Sequence, residues 1–113
     1  MRILFVENHA TFAQQVCPAF LRNDEVTVTP SLAQARDLLA GAPWDVLLID
    51  FDLDDGKGVE LVQEFASRNP RPKLVAVSAF DEKNQAMLKA GADAACSKLQ
   101  FSRIGQVLAE LGK

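Results

Sequence analysis

At 113 residues the chain has room for one hydrophobic core and none for a second ordinary domain, so residues 1–113 are read as a single domain. A composition of 49% hydrophobic and 24% charged residues excludes a disordered chain, and a net charge of −3 with 12 scattered basic residues excludes the basic stripe that direct nucleic-acid binding requires. Apolar runs such as Val46–Ile49 and Leu74–Val77 are too short to span a membrane and the N-terminus has no signal-peptide pattern, so a cytoplasmic protein without membrane contact is expected.

In chain order, short apolar runs alternate five times with segments of helical period. The predicted strands are Arg2–Val6, Glu25–Thr29, Val46–Asp50, Lys73–Ser78 and Ala94–Ser97. The first, third and fourth are rich in Val, Leu and Ile, as a sheet covered on both faces requires, and the second alternates like an edge strand. Ala13, Val16, Cys17 and Phe20 recur at i, i+3, i+4 and i+7 and mark the first helix face. Pro18 lies inside that helix, so a kink near Gln14 or a later start is expected. Ser31 opens a second helix on Leu32, Ala35, Leu38 and Leu39, closed by Gly41 and Pro43. Leu61, Val62 and Phe65 mark a third that ends before Pro70, and a fourth around Lys83–Ala90 stops at Gly91. Ile104, Val107, Leu108 and Leu111 mark the last. Trp44, between Pro43 and the third strand, is expected at the lower rim of the sheet. Cys17 and Cys96 have no metal-ligand spacing and are read as small buried side chains.

Strands joined by helices of this length make a parallel sheet with right-handed crossovers, and the fold class is α/β, a doubly wound five-stranded sheet in the order 2-1-3-4-5, a (βα)5 flavodoxin-like arrangement. The first and third strands are then neighbours, and a crevice opens beyond their carboxyl ends. Glu7 and Asn8, Asp50, Ser78 and Lys98 all emerge at that edge. Mg²⁺ takes six oxygens and usually keeps several waters, so Glu7, Asn8 and Asp50 can supply the protein part of its shell. A carboxylate nucleophile at Asp50, with a lysine and a hydroxyl for the equatorial oxygens, suits phosphoryl transfer.

The segments Ile3-Leu4-Phe5-Val6-Glu7-Asn8-His9, Leu48-Ile49-Asp50-Phe51-Asp52-Leu53, Asp55-Gly56-Lys57-Gly58-Val59-Glu60-Leu61, Val75-Ala76-Val77-Ser78-Ala79 and Ala90-Gly91-Ala92 followed by Lys98 resemble the receiver domain of bacterial two-component response regulators, the CheY-like family, over essentially the whole chain. The resemblance implies that Asp50 accepts a phosphoryl group from a phosphohistidine on a sensor histidine kinase or histidine phosphotransfer protein, with Mg²⁺ as cofactor. It implies that Glu7 and Asn8 occupy the acidic pair, that the backbone carbonyl of Asp52 completes the metal shell, that Ser78 is the switch hydroxyl and that Lys98 pairs with the phosphoryl oxygens. Such a domain is a phosphoacceptor, not an enzyme beyond self-phosphorylation and autodephosphorylation, and it switches a surface read by an output protein or domain. The face of the fourth helix, fifth strand and fifth helix often docks partners or a second copy, and Phe80, Met87 and Phe101 are its expected apolar patch. Gly56 and Gly58 are expected to permit the turn into the third helix.

Three positions depart from the family pattern. Asn8 stands where Asp usually ligates the metal, which weakens the site unless the side chain of Asp52 or Asp54 compensates; as a residue at a helix start, Asn8 also reads as an N-cap. Leu99 follows Lys98 where proline with a cis bond is usual, so a trans bond and a displaced Lys98 are expected. Ala95 replaces an inward-swinging aromatic, and the signal is expected to leave through the loop after Ser78 or through Phe80. The alternative function is therefore a degenerate receiver, a protein-binding module independent of phosphorylation. Asp50-Phe51-Asp52 also resembles the Asp-x-Asp of haloacid-dehalogenase-type phosphatases, but no second acidic metal motif follows. A calcium loop would need a glutamate where Leu61 stands. His9, the only histidine, has no partner nucleophile in sequence and is read as a surface residue.

Overall fold

The computed structural model describes residues 1–112. Five parallel strands, β1 (Arg2–Val6), β2 (Glu25–Thr29), β3 (Val46–Ile49), β4 (Lys73–Ala76) and β5 (Ala94–Ala95), form one sheet in the order β2-β1-β3-β4-β5. This is the expected doubly wound order. Side chains alternate across it with the period of two that a pleated strand imposes. Ile3, Phe5, Leu48, Val75 and Val77 face α1 (Ala10–Phe20) and α5 (Ile104–Leu111). Leu4, Val6, Leu47, Ile49, Leu74 and Ala76 face α2 (Leu32–Gly41), α3 (Gly58–Ala66) and α4 (Asp81–Ala90). Because both faces are covered, β1 and β3 are buried almost throughout, whereas β2 is an edge with Val28 exposed.

The strands end earlier than their apolar runs suggest. Asp50, Val77 and Ser78, and Cys96 and Ser97, lie beyond the ladders, where the chain turns out of the sheet toward the crevice. Single bonds continue the pairing there, from Asp50 N–H to the Val6 carbonyl (2.9 Å) and from Val77 N–H to the Ile49 carbonyl (2.8 Å). α1 runs unbroken from Ala10 to Phe20, so the later start does not occur. Pro18 sits in the last turn, where its missing N–H removes one bond from a ladder that is ending anyway. Phe20, counted with the buried face of α1, is 42% exposed.

The apolar patch expected from Phe80, Met87 and Phe101 is not there. Met87 is fully buried among the α2–α3–α4 side chains, and Phe101 stacks on Phe5 with ring centroids 5.8 Å apart, with Phe12 edge-on at 5.6 Å. Aromatic burial outweighs display on a surface when the sheet already offers a matching ring. Phe80 remains exposed, and so does Leu99. Trp44 does close the lower rim, donating its indole N–H to the Leu38 carbonyl (3.0 Å) under the Arg2 guanidinium. Cys96 is buried and Cys17 half-buried, and burial pushes both thiols up, toward the unreactive form.

Candidate functional site

Three strand ends and the turn after β5 deliver the site. Glu7 follows β1, Asp50 follows β3 and Ser78 follows β4, and all three are buried to 4% exposure or less. Lys98 opens a 3₁₀ segment (Lys98–Arg103) after β5, and its backbone N–H is tied to the Ser78 carbonyl at 3.2 Å. The peptide bond to Leu99 is trans, since among the described residues only Asn69–Pro70 is cis. The trans bond does not carry the lysine away, because Lys98 Nζ lies 3.2 Å from Asp50 Oδ2 and 2.7 Å from Glu7 Oε1. A flexible four-carbon stem absorbs the change in backbone path.

A second buried carboxylate beside Asp50 raises the cost of ionising it. Burial pushes Asp50 up to about 6, the negative charge of Glu7 adds to the rise, and the Lys98 ammonium opposes it. Asp50 Oδ1 accepts the Phe51 N–H at 2.8 Å, leaving Oδ2 toward the lysine and the cleft. The cleft above it, about 330 Å³, is bordered by Phe12, Ser78, Phe80 and Lys98.

His9 is exposed as expected, yet its ring belongs to the site. Nδ1 lies 2.9 Å from Glu7 Oε2, 3.7 Å from Asp50 Oδ2 and 3.3 Å from Lys98 Nζ. Its backbone N–H also donates to Glu7 Oε2 at 3.0 Å, which bends the chain back over the carboxylates at the start of α1. His9 rather than Asn8 is the N-cap residue of α1, and no side chain caps that end, so the capping reading of Asn8 is not realised. The Asn8 amide instead points inward. In the orientation its neighbours satisfy, the nitrogen donates to Asp50 Oδ2 (3.2 Å) and to the Asp52 carbonyl (3.0 Å), two oxygens that a cation at this edge would share.

The acidic loop after Asp50 divides its work. The Asp52 carboxylate is taken by Lys57 and Lys83, whose hydrogen bonds hold it below the usual range. Asp55 accepts the Leu32 N–H (2.7 Å) and Ala33 N–H (3.0 Å), capping α2 from across the fold. Among the described residues, Glu7, His9 and Asp50 form the one group of His, Cys, Asp or Glu whose ligand atoms converge. Gly58 is required by close approach: a Cβ there would stand 1.9 Å from the Asp50 carbonyl oxygen, and the Gly58 N–H bonds the Phe51 carbonyl at 2.6 Å. The start of α3 thus presses directly on the Asp50 backbone.

The family model for the response regulator receiver domain matches residues 3–108. The chain belongs to the response regulator receiver family. It is 34% identical over 82 residues to the response regulator protein PilR of Pseudomonas aeruginosa, an alignment covering 70% of this chain and 18% of that protein; the chain therefore spans only a small part of its curated relative. A putative response regulator from Chloroflexus aurantiacus superposes with a TM-score of 0.86 at 19% identity, covering 99% of this chain and 98% of that one. The receiver domain of the sensor histidine kinase PA1611 from Pseudomonas aeruginosa PAO1, described with a magnesium ion coordinated in its active site cleft, gives 0.83 at 23% identity over 99% and 98% of the two chains. TrrA from Thermotoga maritima, in complex with Mg²⁺ and a beryllium fluoride, gives 0.85 at 17% identity over 97% of each. At these identities the structures establish the receiver fold.

Proposed function

We propose that this receiver domain takes a phosphoryl group on Asp50 and uses it to switch a protein-binding surface. The observation carrying the reading is one buried carboxylate, Asp50, bracketed by Lys98, Ser78 and Glu7 at the mouth of a cleft. An Asp50 oxygen attacks phosphorus, the P–N bond to a partner's imidazole breaks, and the imidazole leaves with the electron pair. Lys98 offsets the charge on the phosphoryl oxygens, and the Ser78 hydroxyl is available to donate to one of them. Hydrolysis later breaks the new P–O bond and returns the carboxylate.

Glu7 and Asp50 bring two buried carboxylates to one edge beside the Asp52 carbonyl, an all-oxygen donor set that fits a hard cation such as Mg²⁺, with Glu7 Oε1 also held by Lys98 Nζ at 2.7 Å. Asn8 must first withdraw its amide nitrogen from Asp50 and Asp52. Mg²⁺, when bound, would draw charge from the phosphoryl oxygens. The donor is a sensor histidine kinase or a histidine phosphotransfer protein, the acceptor of the signal is an output protein or domain, and the setting is the cytoplasm. Among the described residues no helix is long and apolar enough to cross a membrane.

A degenerate receiver is the second reading, favoured by the Asn8 amide on both metal-facing oxygens and by the capture of Asp52 between two lysines. Incubation with Mg²⁺ and acetyl phosphate, read by intact mass, separates the two. An adduct of one phosphoryl group on the wild type, absent from Asp50→Asn, is the expected result. A folded wild type that stays unmodified at high Mg²⁺ would overturn the proposal and leave the binding module.

A further inference from the structure

Asn84 is a buried polar residue that the site chemistry does not use. It lies in the first turns of α4, 5% exposed, and donates its side-chain Nδ2 to the Ser78 carbonyl at 3.0 Å. That bond fixes the orientation of the amide, and its Oδ1 is then buried with no hydrogen-bond partner. An unpaired buried carbonyl is unfavourable, so Asn84 Oδ1 is an open acceptor for a nearby N–H. The Ser78 carbonyl that Asn84 holds also receives the Lys98 N–H at 3.2 Å, so one peptide joins the switch hydroxyl, the phosphate-facing lysine and α4.

The neighbouring donor is Phe80 N–H. It now bonds Ser78 Oγ at 3.2 Å, while the Phe80 carbonyl accepts the backbone N–H of Asn84 at 3.2 Å, which keeps the two residues together. When Ser78 Oγ turns to donate its proton to a phosphoryl oxygen on Asp50, Phe80 N–H loses its acceptor. Asn84, one helical turn on from Phe80, offers Oδ1 as an acceptor with no other partner.

We infer that Asn84 is a positioning residue that couples Ser78 to α4: when Ser78 Oγ moves to the phosphoryl group, Phe80 N–H passes to Asn84 Oδ1 and the start of α4 moves with it. This rests on the phosphoacceptor reading of Asp50. It supplies an outlet that does not need an aromatic at Ala95, since the exchange runs through the backbone of the loop and a helix already packed against α3 and β5.

Amide NMR on the full chain, with Mg²⁺ and beryllofluoride as the acyl-phosphate mimic, tests it. In the wild type, the Asn84 side-chain NH₂, the Phe80 N–H and the amides of Asp81–Ala90 should shift together with those around Asp50. Shifts around Asp50 with Phe80 and the Asn84 side chain unmoved would overturn the coupling and spare the phosphoacceptor reading. No shift around Asp50 at all would overturn both. Asn84→Ala should keep the shifts around Asp50 and lose those of α4. Asn84→Asp keeps an acceptor for Phe80 N–H and should therefore keep the beryllofluoride shifts of Phe80 and α4 that Asn84→Ala loses. Asn84→Asp that loses the α4 shifts as Asn84→Ala does, in a chain of unchanged circular dichroism, would overturn the role of Oδ1 as the acceptor and leave a merely structural Asn84.

Discussion

Two carboxylates at opposite edges of the sheet have opposite fates. At the foot, Asp93 receives three donors: Arg71 Nη1 at 2.8 Å, Arg71 Nη2 at 3.0 Å and the Leu74 N–H at 2.8 Å. The Arg71 hydrogen bonds hold Asp93 below the usual carboxylate range. At the top, Asp50 is more deeply buried, shares its space with Glu7 and is pushed up to about 6. The foot is matched and holds β4 to β5. The top is left unmatched, which is the state that the phosphoacceptor role proposed for Asp50 calls for.

Gly58→Ala should break the upper region most severely. A Cβ 1.9 Å from the Asp50 carbonyl forces α3 away from the β3 end, and a loss of roughly 3 kcal/mol in urea unfolding is expected. Asp93→Ala breaks the lower region by stranding Arg71 and the Leu74 N–H, and roughly 2–3 kcal/mol should be lost. Full activity with acetyl phosphate in whatever Asp93→Ala remains folded would confirm that the foot only supports.

Asp50→Asn sharpens the contrast because it should stabilise. With a folded-state value raised from 3.8 to about 6, ionisation of Asp50 opposes folding. The penalty is absent below pH 4, grows as the pH rises through 6 and is complete above it. At pH 7.5, without divalent cation, the amide should therefore gain about 2 kcal/mol by denaturant unfolding, and the gain should vanish near pH 4. Asp93 runs the other way. Its contribution is present above pH 4 and is lost as the pH falls through its lowered value. A pH-independent Asp50→Asn effect would contradict the assignment of strain to that group. The smallest effect is Asn8→Asp, which should tighten Mg²⁺ binding about tenfold by titration calorimetry, because a charged oxygen replaces an amide that now donates to Asp50 and Asp52. Unchanged affinity would show that Asn8 does not face the ion.

The site was legible where a residue's place depends on chain order alone. Glu7, Asp50 and Ser78 follow apolar runs, so their arrival at one edge is read from strand length and topology. His9 had a signal, adjacency to Glu7 and Asn8, but whether its ring turns to solvent or back over Glu7 depends on the first turn of α1. Asn84 had none, because a polar residue in a polar helix start says nothing about the Ser78 carbonyl above it. Met87 and Phe101 differ from expectation for a related reason: the resemblance assigns them to a face of the fold, and only packing says whether their side chains meet water or the core.

What this sequence determines by itself is the alternation of five β-type runs with five helices, and from it the sheet order, the switch-point crevice and the identity of the carboxylate within it. These follow from side-chain periodicity and the handedness of crossovers, which are local properties of the chain. The tertiary structure alone decides that Lys98 still reaches Asp50 across a trans bond, that Asp52 is spent on lysines, that Asn8 donates where a cation would sit and that Asn84 holds the switch loop. Each of these depends on the direction of a polar side chain among neighbours distant in sequence, and that direction is set by which hydrogen bonds the finished fold leaves open.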